Sequence, residues 1–494
     1  MTRFTLRLGL AGAVALMTGI GAAQARDTIT IAMQLEPPHL DPTSAAAQAI
    51  DSVVYTNIFE GLTRFMGDGS VVPGLAESWE ISDDGLTYTF HLREGVTFHD
   101  GSAMDSADVK FSLDRARADD SQNAQKALFT GIASVETPDP QTVVVTLMEP
   151  NGSLLFNLAW GDAVIVAPET IETITTNPVG TGPYTFADWV QGDRIELARN
   201  PDYWGEQPAM ASATFKFISD PTAAFAAMMA EDVDVFTGFP APENLPQFEA
   251  DPRFQVLVGS TEGETILAMN NKVAPLDNIK VREAISHAID RQAIIDGAMF
   301  GYGTPIGTHF APHNPAYVDL TGSSAYDPEK AKALLAEAGF PDGFSTTLKL
   351  PPPSYARRGG EIIAAQLRAV GIETEISNLE WAQWLEQGFK GKDFGLTIVS
   401  HTEPMDINIY ARPDYYFQYD NPEFQALMSK LDATTDPDAR NQILGEAQTM
   451  ISEDYVNGYL FQLAALTVAK AGIEGLWANA PTAATDLTGV TWPD

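Results

Sequence analysis

Thr346-Thr347-Leu348-Lys349-Leu350 begins the stretch that decides the fold. Its apolar residues alternate, as in a strand with one buried face. Arg358–Ala369 follows with helical spacing and ends near Gly371. Glu373–Leu379 then reads as a strand, Trp381–Phe389 as a helix and Phe394–Val399 as an apolar strand. Strands separated by helix-length segments form parallel sheets with right-handed crossovers. The sequence therefore predicts a β-α-β-α-β unit, and with it an α/β protein. In such sheets ligands bind beyond the carboxyl ends of the strands, where crossovers diverge.

Two of these strands run into unusual loops at that edge. One is Pro351-Pro352-Pro353-Ser354-Tyr355-Ala356-Arg357-Arg358. The other, Ser400-His401-Thr402-Glu403-Pro404-Met405-Asp406, packs two carboxylates and a histidine into seven residues. Trp381 and Trp384 precede this loop, and Tyr415, Tyr416 and Phe417 follow it. Aromatic walls around a few fixed charges are typical of small-molecule sites. Glu403, Asp406, His401, Trp381, Trp384, Arg357 and Tyr415 are thus the candidate ligand-binding residues.

Elsewhere the elements are legible from periodicity and caps. Thr28–Met33 reads as a strand, and Ala47–Leu62 carries apolar residues at helical spacing. Leu86, Tyr88, Phe90 and Leu92 share one strand face after the turn signal Asp83-Asp84-Gly85, which predicts a hairpin from Trp79. Asp105 and Asp108 resemble a capping pair for a helix bearing Val109 and Leu113. Asp220-Pro221 opens an alanine- and methionine-rich helix, and Asn278–Phe300 reads as one long amphipathic helix. Further helices are expected after Asp327-Pro328, Asn421-Pro422 and Asp436-Pro437.

Composition excludes several functions. The chain has 494 residues, about three domains' worth, and no cysteine. Disulfides, thiolate metal sites, a thiol nucleophile and a lipidated cysteine are therefore ruled out. The formal charge of −37 repels nucleic acid and anionic membrane surfaces. Arg3 and Arg7, the apolar run Leu8–Ile20 and the small residues Ala23-Gln24-Ala25 have the layout of a cleaved secretory signal. The run falls short of the roughly 20 residues that a membrane span needs. A soluble, periplasmic product without a lipid anchor is expected.

Enzyme signatures fail. Gly301-Tyr302-Gly303 starts a dinucleotide fingerprint, but Ile306 occupies its last glycine position. Pro312 breaks any helix that would align His309 with His313 as metal ligands, so both read as loop polarity. No nucleophile–base pair or carboxylate dyad for a secreted hydrolase stands out among the acids. No metal or cofactor is expected.

The stretches Pro73–Trp79, Ser82–Phe90, Leu92–Gly101 and Ala107-Asp108-Val109 resemble the signature of the peptide/nickel family of extracellular solute-binding proteins. Gly180-Thr181-Gly182-Pro183-Tyr184, Asn200-Pro201-Asp202-Tyr203-Trp204, Val281-Arg282, Ala288-Ile289-Asp290-Arg291 and Tyr326-Asp327-Pro328 extend the resemblance over nearly the whole mature chain. It implies a type II-like periplasmic binding protein with two hinged α/β lobes and an extra α+β domain. The division expected is a signal over 1–25, a discontinuous first lobe over 26–55, 170–265 and 466–494, the extra domain over 56–169, and a second lobe over 266–465. It also implies a non-enzymatic, monomeric receptor that delivers a short peptide, an amine or another small solute to the permease subunits of an ABC importer. In the family's dipeptide-binding members an aspartate of an Asp-x-x-Asp loop pairs with the peptide amino terminus. Glu403-Pro404-Met405-Asp406 resembles that loop, so Glu403 would take the role. The arginine those members use for the peptide carboxylate falls near Pro353 or Ser354 and is absent here, with Arg357, Arg358 and Arg412 as the possible replacements.

Overall fold

The computed structural model describes residues 26–44, 47–403 and 405–492; the expected signal segment lies outside them. The β-α-β-α-β unit is present. Strands Phe344–Leu350, Ile372–Asn378 and Leu396–His401 are parallel, with Phe344–Leu350 in the middle. Helix Ser354–Ala369 makes the first crossover and turns Ala356, Ile363, Ala364 and Leu367 into the core. The second crossover starts as the α-helical turn Trp381–Trp384 and continues with the wider π winding over Leu385–Lys390.

Two long antiparallel strands organise the molecule. Phe254–Met269 pairs with Asn457–Lys470 along nearly its whole length, with breaks in register near Ser260–Glu264 and Thr265–Ile266. At one end, Glu264–Met269 also pairs with Leu396–His401, which joins the parallel unit to the ladder. At the other end, Asn457–Lys470 pairs with Val235–Thr237. Val235–Thr237 in turn runs parallel to Thr28–Met33, which runs parallel to Ser212–Phe217. The two crossing strands are thus shared by two α/β halves in one eleven-stranded sheet. Each half has its own apolar core: Ile31, Val54 and Phe215 in the first, Leu267, Ile285, Leu348 and Ile398 in the second.

A separate four-stranded antiparallel sheet holds Ala76–Ile81, Thr87–Leu92, Thr142–Leu147 and Ile132–Asp139. Tyr88, Phe90 and Leu92 are buried on its inner face, as their alternation requires. Helix Ser106–Arg117 packs against it and begins with the expected capping box of Asp105 and Asp108. This layer is not sealed from the first half: Phe65 and Val164 enter the same core as Ile31.

The family-like motifs are joints between distant segments. His99 accepts the Gly180 N–H on Nδ1 at 3.3 Å, which leaves Nε2–H to donate to the Gly182 carbonyl at 2.9 Å. Gly180 is needed there because a Cβ would stand 2.0 Å from the Ile58 carbonyl oxygen. The long helix expected over Asn278–Phe300 is two helices, Ile279–Ala288 and Arg291–Met299. Ile289 is extended, and the Asp290 side chain accepts the Ala293 N–H to start the second helix. The side chains of Asp220, Asp327, Asn421 and Asp436 cap the other expected helices. Among the described residues no helix is long and apolar enough to cross a membrane.

One buried acid gives a pH prediction. Asp162 lies near Asp51, and burial pushes its carboxyl up to about 7 from an ordinary 3.8. A carboxyl raised in the folded state favours folding while protonated. Stability should therefore decline between about pH 4 and pH 7, by roughly 4 kcal/mol for three pKa units. Asp162→Asn should remove that slope. Its melting temperature should exceed wild type at pH 8 and converge with it near pH 4; parallel melting curves across this range would refute the assignment.

Candidate functional site

The carboxyl ends of the parallel strands in both halves approach the crossing strands. Thr28–Met33 and Val235–Thr237 run into Gln34 and Gly238–Phe239. These residues line a cavity of about 320 Å³, with Thr261, Leu466 and Trp477 opposite. A second cavity, of about 350 Å³, lies beside Ser260, Tyr302 and His313.

From the second half, strand Leu396–His401 delivers His401 to this edge. Met405 adopts a left-handed backbone, φ 56°, and Asp406 then opens the 3₁₀ turn Asp406–Ala411. This fold-back aims the Asp406 carboxylate at two imidazoles. His309 Nε2 lies 2.6 Å from Oδ1, and His401 Nδ1 lies 3.1 Å from Oδ2. Tyrosine hydroxyls hold the outer ring nitrogens: Tyr410 is 3.2 Å from His309 Nδ1, and Tyr416 is 3.1 Å from His401 Nε2. Asn457 donates to the Tyr410 hydroxyl at 3.0 Å. Burial works to raise the Asp406 carboxyl, but His309 and His401 outweigh it and hold it well below the usual range. Burial lowers His309 despite the Asp406 charge.

Two further acids sit beside this trio. Glu262 accepts from His313 Nε2 at 2.6 Å, and His313 Nδ1 lies 2.7 Å from the Ser260 hydroxyl. Glu264 stands directly across the ladder from His401, is 3 % exposed, and has an Oε2 atom without a hydrogen-bond partner among the described residues. Burial, and next the charges of Glu262 and Asp406, push its carboxyl far above the ordinary range. Glu262, Glu264, His309 and Asp406 line one small recess.

The residues singled out from sequence occupy different settings. His401, Asp406 and Tyr415 come together, with the Tyr415 ring 6.2 Å from that of His401. Glu403 is exposed on the same loop, accepts the Thr402 N–H, and makes no ion pair among the described residues. Trp384 is buried and donates its indole N–H to Thr397 at 2.9 Å. Trp381, 42 % exposed, packs edge-on against it. Arg357 is tied to the Leu379 carbonyl and Glu380 at a neighbouring strand end, away from Glu403 and Asp406 in its pairing. Sequence reasoning missed His309, Glu262 and Glu264 as site residues. The alternation Glu262-Gly263-Glu264 ahead of an apolar strand was the available signal, because acids inside a buried strand need partners.

The model of the bacterial extracellular solute-binding proteins, family 5, middle region, matches residues 70–427. The chain belongs to this family. The glutathione-binding protein GsiB of Salmonella paratyphi A is 34 % identical over 383 residues, 76 % of this chain and 73 % of that one. Heme-binding protein A of Haemophilus influenzae is 30 % identical over 436 residues, 80 % of this chain and 79 % of that one. Among solved structures, HbpA2 from Haemophilus parasuis superposes with a TM-score of 0.86 at 26 % identity, covering 94 % of this chain and all of that one. The family 5 chain is thus a receptor of the type II periplasmic binding fold, not an enzyme. Such receptors bind small solutes and deliver them to ABC permeases.

Proposed function

We propose that this receptor captures a small amine-bearing solute, a short peptide or a related compound, between its two halves, with Glu403 accepting the cationic group. The observation that carries this reading is the placement of Glu403. Its exposed carboxylate follows the carboxyl end of a parallel strand, has no cationic partner among the described residues, and lies near the acids Glu264 and Asp406. Asp406, engaged by His309 and His401, braces the loop. Trp381 and Tyr415 flank the solute, and Trp384 backs them. Closure about the crossing strands, near the register break at Ser260–Glu264, excludes water and strengthens the ion pair.

The first half comprises 26–55, 170–265 and 466–494, the extra domain 56–169 and the second half 266–465; the separate cores of the two halves support the two lobes, while Phe65 and Val164 of the extra domain share the first half's core. A signal over 1–25 is removed on export, and the receptor works as a periplasmic monomer.

A non-peptide amine without a carboxylate is favoured as the second reading by one observation. Pro353 and Ser354 offer no cation for a peptide carboxylate, and Arg357 is occupied by Glu380. A thermal-shift panel of dipeptides, glutathione, haem, opines, simple amines and sugars separates the readings. A true ligand at one hundred times its Kd should stabilise the fold by about 2.7 kcal/mol. Shifts from sugars alone would overturn the amine reading. For the amine that binds, Glu403→Gln should weaken affinity roughly 30-fold, as loss of a desolvated charge partner does. An unchanged Kd by calorimetry would remove Glu403 from the site.

A further inference from the structure

His309, His401 and Asp406 each offer one metal-type ligand atom, and these atoms all lie within 4.8 Å of one another. We propose that they form a site for one divalent first-row transition-metal ion, with the neighbouring Glu264 balancing its charge. The site is distinct from the solute contact at Glu403 and does not depend on which solute binds.

Donor chemistry is the first argument. Two imidazole nitrogens with carboxylate oxygens suit Zn²⁺, Co²⁺ or Ni²⁺, whereas Ca²⁺ and Mg²⁺ prefer sites made of oxygen alone. Geometry is the second. Around a tetrahedral ion with bonds of 2.0–2.2 Å, neighbouring ligand atoms stand about 3.3 Å apart. The nitrogens of His309 and His401 now lie 2.6 and 3.1 Å from the Asp406 oxygens. Widening these contacts by under an ångström admits an ion.

The outer shell is also in place. Metal-bound imidazoles characteristically hold their second nitrogen in a hydrogen bond that fixes ring orientation. Tyr410 does this for His309, and Tyr416 for His401. A hydroxyl accepts an N–H as readily as it donates a proton. With an ion between them, both rings can therefore carry their proton on the tyrosine side and turn a lone pair toward the ion instead of donating to Asp406.

Glu264 is the independent pointer. It shares the His401 face of the ladder, lines the recess with His309 and Asp406, and buries an Oε2 atom without a hydrogen-bond partner among the described residues. A buried carboxyl oxygen without a partner is costly, and a cation in the recess would satisfy it by taking the place of the carboxyl proton. Two neutral histidines and two carboxylates balance a dication. The neighbouring His313 stands outside this set of ligand atoms and pairs with Glu262 and Ser260 instead.

Titration of the chelator-treated, full-length exported protein with Co²⁺ tests this. One equivalent should bind per chain, with the intense visible bands of a four-coordinate site, and Zn²⁺ should abolish them. His309→Gln and Asp406→Asn should each weaken binding by about 100-fold or more, and Glu264→Gln by about 10-fold. His313→Gln should leave affinity unchanged. Wild-type protein that binds less than one equivalent overturns the proposal, whatever the variants do. So does wild-type affinity in Asp406→Asn, or an equal loss in His313→Gln.

Discussion

Arg291→Met should lower the stability of the second half by about 3–5 kcal/mol, read by denaturant unfolding at pH 7. Arg291 is 8 % exposed and has no carboxylate partner among the described residues. Its Nε donates to the Tyr459 carbonyl at 2.7 Å, Nη1 to the Ser324 carbonyl at 2.9 Å and Nη2 to the Ser324 hydroxyl at 2.5 Å. These bonds tie helix Arg291–Met299 to a crossing strand and to the turn Thr321–Ser324. Hydrogen bonds from a charged group contribute about 1.5–3 kcal/mol each, and two orphaned carbonyls cost a further 1–3 kcal/mol apiece. Removal of a buried charge works the other way. Burial lowers the Arg291 pKa to about 10, so the native state already bears some desolvation cost. Methionine fills a similar volume without that cost, which keeps the expected loss below the full sum of the bonds. A loss under about 1 kcal/mol would mean that the backbone carbonyls find water, and that the arginine is not the rivet.

What the sequence made legible follows interaction range. The parallel unit could be read because its strands repeat every two residues and its helices every 3.6. Its helix starts carry their own local signals, and Asp105, Asp220, Asp327, Asn421 and Asp436 all act as caps where expected. The break at Ile289 was missed because the apolar stripe continues across it; only Asp290, a cap buried in a helical pattern, marks the restart. His401 and Asp406 were found by position, at the carboxyl end of a strand. His309 was not, since its partner is 97 residues away and their meeting depends on how two loops pack. The pair His309 and His313, read as neighbours four residues apart, separates in space toward Asp406 and Glu262. Conversely, Trp384 is aromatic and correctly spaced, yet its indole is consumed by the core around Thr397 and Tyr416.

The same contrast of range governs Glu60, whose replacement by leucine should cost more than 4 kcal/mol and replacement by glutamine much less. Thr181, Tyr203 and Trp204 belong to two of the family-like motifs, and nothing near them in sequence explains why those types are needed. The structure supplies the reason 121 to 144 residues upstream. Glu60 is 6 % exposed; its Oε2 accepts from the Thr181 hydroxyl at 2.8 Å and the Trp204 indole at 2.9 Å, and its Oε1 accepts from the Tyr203 hydroxyl at 2.9 Å. Leucine is apolar and one bond shorter, and it leaves three donors without an acceptor, at about 1–3 kcal/mol each. Glutamine keeps one acceptor oxygen, and the Tyr203 hydroxyl can rotate to accept from its amide, so roughly 1–2 kcal/mol should be lost. The pH dependence separates charge from shape. Burial raises the Glu60 carboxyl despite its three donors. Its contribution is therefore fullest below the unfolded pKa of 4.5 and declines as pH rises. Glutamine has no such slope. The gap between Glu60→Gln and wild type should shrink from pH 4 to pH 8, while Glu60→Leu stays far below both. If the leucine variant instead unfolds at the same denaturant concentration as the glutamine variant, the three donors are satisfied by other means and Glu60 is not the acceptor that these motifs are built around.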